Sequence, residues 1–407
     1  MKIIIVGSYL PRKCGIATFT HDLYKSLIRE GHEVHILAIS DKSERQFPKE
    51  VQRVIPRNES QYYTQAGHWI NSQYDACIIQ HEFGIFGGES GAYIQRLIDQ
   101  VSVPLVLNLH TVLMNPSTPE KLIIQQFGKK ADHLTVMTNR AIEMLKSVYE
   151  IPESKISLIP HGVPTFKITQ QSAKEILGFT GKKVMLSFGL IGRSKGFETA
   201  IEAVAQVNDP TFLYVILGAT HPNVVQEEGE KYRNQLIQLA ADKGLSGKVL
   251  FIDRYVNDEW LEIYLKACDI YVTPYPNENQ ISSGTLSFAM GAGAAVISTP
   301  YWYAKDLLQK NRGLLFDFNQ ADQLAACIQQ LLDNPTLLDQ YRKNALIQGN
   351  KMSWPNVAKK QTVLLQKLSK QNKTLKKQGT TLKSNPALFN VEQRFPAHAN
   401  PYKSLLK

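Results

Sequence analysis

The sequence predicts an α/β protein built from two doubly wound, Rossmann-like parallel-sheet domains that face each other across a cleft. Three observations predict it. The chain has 407 residues, too many for one ordinary hydrophobic core. Apolar β-rich runs alternate with helical periodicity from end to end, which implies successive βαβ units. Runs such as VPLVLNL (103–109) and FLYVILG (212–218) are almost continuously apolar, as strands buried on both faces must be.

The expected strands of the first domain are 3–6, 34–38, 76–80, 105–109, 134–137 and 156–159. Those of the second are 184–188, 212–217, 249–252, 270–273, 295–298 and 314–316. Helical patterns fall between them, for example at 21–29, 139–149, 197–207 and 260–267. The polar stretch at 164–180 lacks a clear buried strand and is read as the interdomain linker. The expected division is therefore 1–165, 166–350, a terminal helix within 351–370, and a basic, poorly ordered tail at 371–407. No repeat of solenoid period is evident.

Hydrophobic residues make up 43% of the chain, ordinary for a globular protein. No apolar run approaches the ~18–20 residues that span a bilayer. The opening MKIIIVGSYL runs into a Gly-containing loop and reads as a first strand, not a signal peptide. Cys14, Cys77, Cys268 and Cys327 are far apart, so neither a disulfide framework nor a zinc site is indicated. These features fit a cytoplasmic protein. The net charge is +10, of which residues 371–407 carry +6. Such a tail suits weak peripheral contact with an anionic membrane or glycan, or simple solvation. No basic–aromatic module for reading nucleic acid is present.

Four constellations carry chemistry, each just after an expected strand. Gly15 opens a helix after strand one, where backbone N–H groups meet a phosphate; such junctions also carry glycine for packing alone. FGLIGRSKG (188–196) supplies Gly189 and then Arg193 and Lys195 at a helix mouth, a fork and a point charge suited to a diphosphate leaving group. NQISSGTL (279–286) brings Ser282, Ser283, Gly284 and Thr285 to another helix start, an anion or sugar-hydroxyl site. His81 with Glu82, His110 and His161 follow three strands of the first domain and would point to the cleft. His/Glu spacing matches no metal motif.

These residues resemble family 4 retaining glycosyltransferases (glycosyl transferase group 1) over about 350 residues. FGLIGRSKGFETAIEAV resembles the family's strand–GR…KG–helix motif, NLHT its His-bearing strand end and IPHGV its I-P-N-G-V. GATHP, ACDIYVTPY and AMGAGAAVISTP follow its C-domain order. CGIATFT, QHEFGIFGG, NQISSGTL and STPYWYAKDLL are similar to a bacterial subgroup. The resemblance implies a GT-B fold, a nucleotide-sugar donor in the C-domain, an acceptor mainly in the N-domain, and no essential metal or other cofactor. It places Gly15 and Lys195 on the donor phosphate and His110 by the reacting sugar. Two positions depart from the family. Its phosphate Arg falls at Gly189, with Arg193 as the nearest substitute. Its paired Glu fall at Gln280 and Phe288, with Glu278 two residues ahead.

The implied reaction is retaining, metal-independent transfer of a hexosyl group from a UDP- or GDP-hexose, GDP-mannose among them, to a glycan or other hydroxyl acceptor. Two alternatives share the fold: a phosphorylase or epimerase, and a silent nucleotide-sugar-binding subunit.

Overall fold

The structure is a computed structural model that describes the backbone of residues 1–41 and 46–383, and side chains as far as residue 374. Among the described residues the strands form two sheets. The first contains β1 (Lys2–Gly7), β2 (Glu33–Ser40), β3 (Val51–Pro56), β4 (Ala76–His81), β5 (Leu105–Leu109), β6 (His133–Val136) and β7 (Ile156–Leu158), in the order 3-2-1-4-5-6-7. The second contains β8 (Lys183–Phe188), β9 (Phe212–Leu217), β10 (Val249–Ile252), β11 (Ile270–Thr273), β12 (Ala295–Ser298) and β13 (Gly313–Leu315), in the order 10-9-8-11-12-13. Every pairing is parallel. Both sheets therefore have the dinucleotide-fold order, with a switch point beside β1 and beside β8.

The apolar runs are two-faced. Ile3 and Ile5 pack with Phe19, Leu23 and Leu27 of the helix Gly15–Arg29. Ile4 and Val6 face the opposite layer with Tyr63, Ile70 and Leu97. In the second sheet Leu186 and Val215 belong to the first of these clusters, and Met185, Tyr214 and Ile216 to a third. One core thus runs from the first domain into the second.

An aspartate sets the parallel register three times. Asp75 accepts from Lys2 N at 2.7 Å, Asp132 from Leu105 N at 2.8 Å, and Asp269 from Val184 N at 2.8 Å. Each stands just before one strand and holds an N–H at the start of its neighbour: the first residue of β1 and of β5, the second of β8. Asp269 is buried, and Lys174 at 2.6 Å balances its charge, as a desolvated carboxylate requires.

The chain crosses between the domains twice, and the crossings are bonded side by side. Val163 N donates to Met352 O at 2.9 Å and Trp354 N to Val163 O at 3.0 Å. The indole of Trp354 lies against Gly162, where a Cβ would come within 2.2 Å of the ring. The terminal helix then returns to the first domain and packs on Gly15–Arg29, with a bond between His32 Nε2 and Thr362 Oγ1 of 2.8 Å.

Three sequence expectations are corrected. Strand β3 was not expected, because VQRVIP is short, broken by Gln52 and Arg53, and ends in Pro56. It is an edge strand, where proline is tolerated. The stretch 164–180 contains a helix that was not expected, Gln170–Leu177, capped by the Thr169 hydroxyl and by Gly178 at φ 70°. The terminal helix runs Trp354–Lys383, past its expected end at residue 370 and into the stretch read as a basic tail. The rest of that tail lies outside the described residues. The four cysteines are free and the opening segment is β1, as expected.

Trp354 is 5% exposed at the crossing. Trp354→Ala is expected to lower unfolding stability by roughly 3–5 kcal/mol, read from the denaturation midpoint at constant slope.

Candidate functional site

The loops beyond the carboxyl ends of the strands converge on a cleft of about 1890 Å³ lined by both domains, where doubly wound sheets hold their ligands. Close backbone approach shapes its floor. Gly218 has φ +153°, and a Cβ there would lie 1.9 Å from Gly189 O. Gly196 has φ +65°, and its Cβ would lie 2.0 Å from Pro274 O. At both positions only glycine lets the loops touch.

Gly15 differs from these. No protein atom lies within 4 Å of where its Cβ would be. Packing therefore does not require glycine, and the helix N-terminus behind it faces open cleft. Cys14 caps this helix, its sulfur accepting from Ala17 N at 3.4 Å. Arg12 stands beside it, 3.6 Å from Asp41, and its Nη1 is buried without a hydrogen-bond partner. Free N–H groups at a helix start, with a guanidinium close by, favour negative charge there.

Across the cleft Lys195 lies 4.3 Å above the ring of Tyr275, its Nζ 3.3 Å from the phenol oxygen. That oxygen is 3.0 Å from Thr285 Oγ1. Gly284 and Thr285 open the helix Gly284–Ala292 and line the cleft. Ser282 reaches the first domain and donates to His110 O at 3.1 Å.

His110 lines the cleft, with Phe19 edge-on to its ring at 4.8 Å. Burial, then the nearby His161 and His81, lowers its pKa to about 3. It is a neutral ring at physiological pH and contributes no positive charge. His161 also lines the cleft, and its Nδ1 donates to Gly162 O at 2.8 Å; burial lowers its pKa to about 4. Glu82 reaches the cleft wall, where burial raises its pKa against bonds from Thr111 at 2.5 Å and Phe83 N at 3.1 Å.

The structure thus brings together Gly15, Glu82, His110, His161, Gly189, Arg193, Lys195, Ser282, Gly284 and Thr285. Four expectations are corrected. His81 is fully buried away from the cleft, boxed by Phe83, Phe86 and Phe127, with neither nitrogen hydrogen-bonded. The strand alternates, so its neighbour Glu82 takes the cleft side. Glu278 is exposed outside the cleft. Gln280 folds onto its own loop, donating to Ser282 O at 3.0 Å. Ser283 is buried as the helix cap, accepting from Leu286 N at 3.3 Å. Arg193 lines the cleft, yet its guanidinium is held by Glu228 at 3.0 Å and Gln235 at 3.1 Å above the ring of Tyr232.

The sequence reading missed Arg12, Lys13, Phe19 and Asp22 on the first-domain wall, and Phe288 as a lining residue. The RK pair ahead of Gly15 was a legible signal, two cations at a helix entrance. Asp22 gave none: burial, then the charge of Asp258, raises its pKa to about 7, and both residues come together only through the fold. Phe288 stacks on Phe188 at 6.3 Å and meets His161 edge-on at 5.9 Å. Among the described residues no group of three or more His, Cys, Asp or Glu is placed to hold a metal ion.

This is the GT-B architecture: two parallel-sheet domains with a cleft between them. The model for glycosyltransferase family 4 matches residues 14–166, and that for glycosyl transferases group 1 matches residues 169–348. Together they take in most of the chain, and the protein belongs to this family of glycosyltransferases. It is similar to an alpha-monoglucosyldiacylglycerol synthase of Streptococcus pneumoniae, 24% identical over 82% of this chain and 79% of that one. It is also similar to a D-inositol 3-phosphate glycosyltransferase of Rhodococcus opacus, 24% identical over 64% of this chain and 61% of that one. In fold it matches the crystal structure of Anabaena HepE in complex with UDP, with a TM-score of 0.75 and 15% identity, covering 90% of this chain and 100% of that one.

Two outcomes follow from this geometry. Gly15→Leu is expected to leave the melting temperature within a few degrees, because the added side chain enters open space, and to abolish nucleotide-sugar binding in calorimetry. The histidine pKa values set a pH dependence. His81, His110 and His161 have folded values of about 3, 3 and 4, below the ~6.5 of an unfolded histidine. The unfolded chain binds more protons between these limits, so stability present above pH ~6.5 is lost on acidification toward pH ~4. Asp22, at about 7, and Glu82, also raised by burial, act oppositely, against these three histidines and His133, which burial lowers to about 4. His81→Phe is expected to flatten the acid limb of stability without changing ligand affinity, measured by denaturation at successive pH values.

Proposed function

We propose that this glycosyltransferase moves a hexosyl group from a nucleoside diphosphate sugar, a UDP- or GDP-hexose, to a hydroxyl on a glycan or other acceptor. The anomeric configuration is retained, and no divalent metal is needed. One observation carries the reading: Arg12 and the helix entrance at Gly15 face Lys195 and the helix entrance at Gly284 across one cleft.

Cleavage of the anomeric bond places negative charge on the departing diphosphate and positive charge on the sugar. Lys195, Arg12 and the N–H groups at the two helix entrances stabilise the diphosphate, fixed before reaction begins. These groups do what a bound metal ion does elsewhere. The acceptor hydroxyl attacks from the face the diphosphate leaves, and a diphosphate oxygen takes its proton. His110, neutral and buried, orients the sugar through its hydroxyls. Closure of the cleft excludes water. The UDP complex of HepE, and its complex with UDP-glucose at 15% identity, support a nucleotide-sugar donor. The diacylglycerol relative by its name acts at a lipid, which supports a membrane-side acceptor. So does the terminal helix, with Lys359, Lys360, Lys367, Lys370 and Lys373 exposed and no acidic residue in its length. No helix among the described residues is long and apolar enough to cross a membrane, so such contact would be peripheral.

A second reading, a silent nucleotide-sugar-binding subunit, is favoured by one observation. Phe288 stands in the cleft wall where the family's carboxylate is expected, and neither Glu278 nor Gln280 reaches the cleft.

A thermal-shift panel of nucleotide sugars, followed by turnover of the best binder with chelator present, tests both. Specific binding raises the melting temperature with concentration. Turnover is expected to survive chelation. Lys195→Ala is expected to reduce it by about 10²–10³-fold, and Arg193→Ala by much less, because Glu228 and Gln235 already hold that guanidinium. Survival of turnover within a few-fold in Lys195→Ala would overturn the leaving-group account. Tight binding without turnover across a broad acceptor panel would favour the silent subunit.

A further inference from the structure

A chain of buried amides runs from the terminal helix to His110. Gln361 Nε2 donates to Asn108 Oδ1 at 2.9 Å. The Thr135 hydroxyl donates to the same oxygen. Asn108 Nδ2 donates to Gln80 Oε1 at 3.3 Å. That oxygen lies 2.8 Å from His110 Nε2. All five residues are buried, Gln80 and Gln361 almost completely. Nothing in the fold alone requires such a chain: its ends, Gln80 Nε2 and Gln361 Oε1, have no hydrogen-bond partner. Buried polar groups left half-satisfied destabilise a core.

We propose that Gln80, Asn108 and Gln361 are positioning residues that hold His110 as its Nε2–H tautomer. An amide oxygen only accepts. Gln80 Oε1 therefore requires a proton on Nε2, which leaves Nδ1 as a bare acceptor. Nδ1 has no partner among the described residues, and the ring lines the cleft. The direction of the chain is set at Asn108. Its oxygen receives both Thr135 and Gln361, so its NH₂ must turn to Gln80. Reversing the chain would turn the Thr135 hydroxyl proton away from the acceptor it has.

The ring then offers a sugar one neutral lone pair and no competing donor. It accepts from a hydroxyl and orders the sugar without placing a positive charge beside an oxocarbenium-like centre. Gln361 lies 253 residues from Asn108 in sequence. The terminal helix thereby contributes to the site as well as to the domain crossing. The inference rests on the reading of His110 as a sugar-side group.

The test uses the full chain with ¹⁵N-labelled histidine and long-range ¹H–¹⁵N correlation, without substrate, His110 being assigned by His110→Gln. A single form is expected, protonated at Nε2 and bare at Nδ1, unchanged between pH 8 and pH 5 (roughly 1.5 units either side of an ordinary histidine). Gln80→Met and Gln361→Met are each expected to give a mixture of tautomers, the first more completely. Gln80→Glu, whose carboxylate also accepts only, is expected to restore the Nε2–H form and raise the pH at which the ring takes a second proton. Melting temperatures confirm that each variant folds, and Gln361→Leu replaces any that does not. A wild-type His110 bare at Nε2 would overturn the proposal. So would a folded Gln361 variant with the wild-type His110 spectrum. Because no sugar nucleotide enters the measurement, it can fail while glycosyl transfer stands, or succeed on a protein that transfers nothing.

Discussion

The pairing of the two interdomain crossings is the constraint on which the rest of the structure depends. Val163 bonds to Met352 and Trp354 on the returning strand, and the indole of Trp354 occupies the space that a side chain at Gly162 would take. Two domains joined once would be free to turn. Joined twice at one point, with a continuous apolar core through the junction, they present the carboxyl ends of their strands to one shared cleft. The returning helix then packs against Gly15–Arg29, whose opposite end forms the first-domain wall of that cleft. The same element that ties the domains together also buttresses the phosphate-facing helix.

Within this frame, chemistry is divided by charge. The proposed donor side of the cleft is built from groups already fixed in place: helix N–H groups and one lysine over an aromatic ring. The proposed sugar side is built from neutral polar groups, His110 and His161, kept uncharged by burial. A cation near the phosphates and none near the anomeric carbon is the distribution a dissociating glycosyl bond requires. Arg193 departs from it, because Glu228 neutralises it at the rim. Lys195 and Arg254 line the cleft on that side with no carboxylate partner among the described residues, Lys195 over Tyr275 and Arg254 over Trp260.

Most of the fold was legible in the sequence because both sheets are parallel and buried. Their strands are apolar runs with little ambiguity, and twelve of them lie where hydrophobicity placed them. Strand β3 was hidden because an edge strand need bury only one face, and Val51, Val54 and Ile55 are interrupted by charge. The helix at Gln170–Leu177 was hidden by its polar composition, although Thr169 and Gly178 are ordinary start and stop signals. The site was legible to the level of loops but not of side chains. Gly15, Gly189, Lys195 and His110 face the cleft because each follows a strand. His81 follows one too, yet the pleat turns it inward and Glu82 outward. Gln280 was misplaced because a local bond to Ser282 O competes with the cleft for it, and Arg193 lines the cleft but spends its guanidinium on Glu228 and Gln235. Asp22, Gln80 and Gln361 carry no local signal, since their partners lie far away in sequence.

The account stands most directly on where a diphosphate binds. A crystal structure of the protein with UDP or GDP would show it. The account predicts the β-phosphate oxygens within hydrogen-bonding distance of the N–H groups at Gly15 and Ile16 and of Lys195 Nζ, with the cleft closed around them. A diphosphate held instead at the Arg193 rim, with Lys195 still turned to Tyr275 and Gly15 open to solvent, would contradict it.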